Sequence, residues 1–68
     1  MLTVEDVNKR VQEVADNTGD PEVAHSMEDA LLWEVLEEIS EGKHPLNAAE
    51  IAQAALKTRK MGFPRWCA

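Results

Sequence analysis

The sequence predicts a small all-α domain, a three-helix bundle with a C-terminal tail docked on its central helix. Three observations lead there. Apolar residues recur at spacings of three and four in three stretches, and each stretch opens on a capping residue. The three glycines stand alone at 19, 42 and 62, where each closes a stretch. The helices are expected over about 3–17, 21–41 and 48–60, so that residues 1–62 form the bundle and 63–68 the docked tail. Sixty-eight residues fit one unit with a modest core, and 44% apolar with 29% charged residues is globular composition.

In the first helix Val4, Val7, Val11 and Val14 lie on one stripe. Thr3 is a good N-cap, Asp6 can complete a capping box, and Leu2 and Val7 hold the positions of a hydrophobic staple. Asn17-Thr18-Gly19 ends the helix. Asp20-Pro21 opens the second, an N-cap acid before a proline whose missing N–H is no loss at N1. This helix has the broadest apolar face and is the central one, with its arc centred on Ala24, Val35, Ile39, Leu32 and Leu36. Asn47 caps the third helix, with Glu50 three residues on and Leu46 placed to staple to Ile51. Ala48, Ile51, Ala52, Ala55 and Leu56 make its slim face, and Gly62 and Pro64 end it.

The net charge of −6 is unevenly spread. Residues 1–42 hold twelve acids against Lys9 and Arg10, whereas residues 43–68 hold five bases against Glu50 alone. Such a chain can close its basic end over its acidic part, pair with a second copy, or offer a basic edge to a partner. The acidity opposes binding to a phosphate backbone. The longest apolar run, Ala30-Leu31-Leu32-Trp33, is far short of the about 20 residues a membrane span needs. The first fifteen residues carry three acids and no apolar block, unlike a secretory signal. One cysteine allows no internal disulfide, and a reducing cytoplasm is the expected location.

One cluster breaks the pattern. His25 and Glu28 fall inside the apolar arc of the second helix, and Asp29 lies at its edge. A carboxylate turned inward needs a partner, and the tail supplies Arg65 as a fork and Trp66 as an indole N–H. His25, Glu28, Asp29, Arg65 and Trp66 are therefore the candidate cluster: a structural clasp first, a ligand or partner site second. Glu34, Glu37 and Glu38 are expected on the solvated side; Trp33, off the main arc, either covers the first helix or stands as an exposed anchor, and in the second case the four form a candidate partner surface.

The pairing of H-x-x-E-D in the central helix with a terminal F-x-R-W-C-A resembles small proteins of actinobacterial phages and prophages. The matching residues are His25, Glu28 and Asp29, then Phe63, Arg65, Trp66, Cys67 and Ala68. The resemblance runs loosely along the whole chain. It implies a context, a phage accessory gene expressed in a bacterial cytoplasm, and no reaction.

The chemistry available is sparse. Zinc needs about four ligands with local pairs, and His25, His44 and Cys67 offer no such pair, so neither a metal nor another cofactor is expected. Cys67 with His25 is a remote nucleophile pairing, and no catalytic residue is assigned. Lys57, Arg59, Lys60, Arg65 and Trp66 form one short basic and aromatic patch, which keeps a nucleic-acid accessory module as the alternative function. The leading expectation is an interaction protein that binds an unidentified host or phage protein. A weak homodimer is also expected, because a thin core leaves apolar residues in need of cover.

Overall fold

The computed structural model describes residues 1–65 and shows a small three-helix bundle with no strand among them. Its helices are α1 (Val4–Asp16), α2 (Pro21–Ser40) and α3 (Ala48–Ala55), and a 3₁₀ segment (Leu56–Lys60) continues α3.

α1 forms as its caps dictate. The Thr3 hydroxyl accepts from the Asp6 N–H and the Asp6 carboxylate accepts from the Thr3 N–H, each at 3.0 Å. Those two bonds satisfy donors that the first turn would otherwise leave open, and the Thr3 N–H above all holds the Asp6 carboxyl below the usual carboxylate range. Leu2, Val7 and Val11 are buried in the main core with Leu31 and Val35 of α2 and Ile51, Ala54 and Ala55 of α3. Asp20 caps α2 through the Val23 N–H, with Pro21 in the first turn. Gly42 follows α2 with φ +73°, a left-handed conformation that a side chain would strain.

Three expectations about the third helix need correction. The 48–60 helix divides: α-helix stops at Ala55, and the next five residues tighten into 3₁₀ geometry. Asn47 makes no side-chain capping bond. Leu46 is 98% exposed and staples nothing. A tightened segment leaves Thr58 fully buried, its hydroxyl donating to the Ala55 carbonyl at 3.2 Å.

The length mismatch between helices decides what stays open. α2, with 20 residues, is about 30 Å long, and α3, with eight, about 12 Å. α3 therefore packs along only part of α2, and its 3₁₀ continuation lies mainly against α1. The side of α2 that faces inward carries Ala24, Leu31 and Val35, with Glu28 and Glu38 beside them. Leu36, expected at the centre of the arc, is instead 59% exposed.

Candidate functional site

Three polar arrangements and one apolar surface are built on α2. The first is the Glu28–Arg65 pair. Glu28 is 4% exposed, and Arg65 forks onto both of its carboxylate oxygens, Nε to Oε1 at 2.7 Å and Nη2 to Oε2 at 3.0 Å. The same guanidinium donates to the carbonyls of Thr58 (2.8 Å), Phe63 (3.2 Å) and Met61 (3.3 Å). It thereby ties the end of the 3₁₀ segment and the strap that follows to α2. Its Cζ also lies 4.0 Å from the centre of the Phe63 ring, a cation–π contact. Phe63 is buried with Val14 and Ala24, closing a second small core between α1 and α2. Arg65 holds the Glu28 carboxyl below its ordinary range, its hydrogen bonds outweighing the cost of burial.

His25 lies beside this pair, buried, with Nε2 3.4 Å from the Asp29 carboxylate, which is half exposed. Asp29 thus faces His25 on its own helix, and Arg65 takes Glu28. Trp66, expected in the cluster, and Cys67 lie outside the described residues.

The second arrangement was not legible as a unit. Glu38 was expected among the solvated acids of the partner surface and is instead buried. Its Oε1 accepts from the Leu2 N–H at 2.8 Å and meets Nε2 of the buried His44, also at 2.8 Å. The Leu2 N–H is the main reason its carboxyl titrates below the usual range, with His44 second. This cluster fastens the start of the chain and the α2–α3 connection to the last turn of α2. The sequence signal was weak but present: a histidine two residues beyond the glycine stop is placed to fold back on the helix it leaves.

Glu34, its side chain 45% exposed, pairs with Arg10 of α1 at 2.6 Å. Of the four residues expected as a partner surface, Trp33 and Glu37 are exposed, Trp33 at 66%. Leu36 joins them.

The apolar surface lies along these residues. Between α2 and α3 runs a groove of about 220 Å³, with Leu32, Leu36 and Ile39 on one wall and Ala52 and Leu56 on the other. Leu36 and Leu56, at its rims, are 59% and 46% exposed. Trp33 neighbours Leu36 one helical turn away, at i,i+3. Beyond Leu56, a shallower concavity of about 570 Å³ is lined by Gln53, Lys57, Arg59 and Lys60.

Among the described residues no buried side-chain nitrogen or oxygen lacks a hydrogen-bond partner. No group of three or more His, Cys, Asp and Glu among them gathers to hold a metal ion. No helix among them is long and apolar enough to cross a membrane. No family model, curated protein or solved structure matches this chain.

Proposed function

We propose that this chain works by binding another protein, and that the open face of α2 with the α2–α3 groove is the surface it uses. The observation that carries this reading is the contiguous run of Trp33, Leu36 and Leu56, exposed beside a groove walled by apolar side chains. Large apolar residues that form one patch mark interaction surfaces, whereas scattered ones are ordinary. The ionisable groups on α2 support it from the other side. Glu28 is held by Arg65, Glu38 by Leu2 and His44, Glu34 by Arg10, and His25 faces Asp29, so each serves the fold. The resemblance to phage accessory proteins fits a binding role in a bacterial cytoplasm, against a host or phage protein.

The test is capture with a matched control. Immobilised wild-type chain and Leu36→Glu, both shown folded by circular dichroism, are exposed to bacterial lysate. Proteins, or copies of the chain itself, held by the wild type and lost with Leu36→Glu support the reading. Equal recovery by both contradicts it. A nucleic-acid module is the second reading, favoured by the basic concavity at Lys57, Arg59 and Lys60. It requires binding to a labelled oligonucleotide that weakens steeply as salt rises.

A further inference from the structure

We infer that the α2–α3 groove is filled by a second copy of this chain, which inserts its Trp33 there in a two-fold symmetric dimer. The inference rests on the reading that this face binds protein, and it names the partner.

Knob and hole lie on one patch of one molecule. Trp33 stands 66% exposed on α2, and the groove begins one helical turn away at Leu36. A two-fold axis through that patch sends each tryptophan into the other copy's groove, so both are covered and the assembly closes. An aromatic knob buried in a wholly apolar hole is the usual energetic centre of an interface.

Charge fixes the same arrangement. On the helix surface Trp33 is flanked at i+4 by Glu37, which is exposed, and at i−4 by Asp29, which faces His25 yet is half exposed. The far rim of the groove, at Leu56, borders Arg59 and Lys60, which make no ion pair among the described residues. When Trp33 enters the partner's groove, the acids beside it approach the bases beyond the partner's Leu56. The symmetry repeats that contact, which uses the opposite charges of the chain's two halves. Complementary rims of this kind select register and partner. The core of a 68-residue chain is small, so covering Leu36, Leu56 and Trp33 also adds stability that the isolated bundle lacks.

Sedimentation velocity on the full chain tests this, in a series up to about 200 µM, where a micromolar dimer is mostly formed. The wild type is expected to approach twice its 7.6 kDa mass as concentration rises. Trp33→Ala should weaken association about thirtyfold or more, the scale of a hot-spot residue. Because Trp33 is exposed, that variant stays folded. The decisive arm is a charge exchange at exposed positions. Glu37→Lys alone and Arg59→Glu/Lys60→Glu alone should each associate about tenfold more weakly, and mixing the two should restore a heterodimer. A wild type that stays monomeric overturns the inference, as does a dimer indifferent to Trp33→Ala or a mixture that restores nothing. If the pure chain is monomeric but lysate capture still depends on Leu36, the dimer fails and the broader binding role stands. If capture fails as well, both fall.

Discussion

Arg65→Met isolates what the strap beyond the 3₁₀ segment does for the bundle. The substitution keeps an unbranched side chain but removes five hydrogen bonds, two to Glu28 and one each to the carbonyls of Thr58, Met61 and Phe63. It leaves the Glu28 carboxylate, 4% exposed, without its cation. Breaking a fully buried pair costs about 3–5 kcal/mol, and one hydrogen bond to a charged group about 1.5–3. The Arg65 side chain is 32% exposed, so water can partly replace it at Glu28. The expected loss is therefore about 2–3 kcal/mol. In a domain this small each kcal/mol moves the melting temperature by about 4–8 °C, so thermal circular dichroism at neutral pH should show a fall of about 10–20 °C. Glu28→Gln should cost less, because the amide still offers Arg65 one oxygen. The double variant should fall short of the sum by about 1–2 kcal/mol, the coupling of groups in direct contact. A melting point within about 2 °C of wild type for Arg65→Met would refute the reasoning and leave the fork a surface contact of no consequence.

The other predictions concern the neighbouring contacts. Phe63→Ala removes the buried ring between Val14 and Ala24 and should cost about 3 kcal/mol, read from urea denaturation. Glu38→Ala should abolish the slow exchange of the Leu2 amide in hydrogen-exchange NMR, because that N–H donates to Glu38 alone. Unchanged protection would contradict the buried cluster. The pH dependence follows from Asp6, Glu28 and Glu38, whose folded-state pKa values all lie below their ordinary ones. Their contribution is complete above the ordinary carboxylate range and is lost as pH falls through the depressed folded values. Chemical denaturation should therefore show stability dropping below about pH 4.5, with a shallower drop in Glu28→Gln. A drop equally steep in that variant would contradict the assignment.

Much of the fold was legible because local chemistry decided it. Thr3 with Asp6 and Asp20 before Pro21 mark helix starts by hydrogen bonds that reach only three residues, and the structure shows those bonds. The four-valine stripe named the inward face of α1 for the same reason. What failed depends on how much of each helix its neighbours can reach. Periodicity weighs Leu36 and Leu31 alike, yet an eight-residue α3 covers the flank bearing Val35 and leaves Leu36 in solvent. Glu38 was misplaced for the complementary reason: a carboxylate reads as exposed until a backbone N–H and a histidine from elsewhere converge on it. Arg65 with Glu28 was foreseeable because an inward acid demands a cation and one arginine stands beyond the third helix. Asn47 failed as a cap because its residue type allows the bond without enforcing it.

The most direct test of the binding face as a dimer interface is a dilution series of ¹⁵N-labelled protein by heteronuclear NMR. The account predicts concentration-dependent shifts at the Trp33 indole and at the amides of Leu36, Ala52, Leu56, Arg59 and Lys60, fitting one dissociation constant. Amides of His25, Glu28 and Leu2, which serve the fold, should hold still. Shifts spread over α1, or none at any concentration, would contradict the dimer.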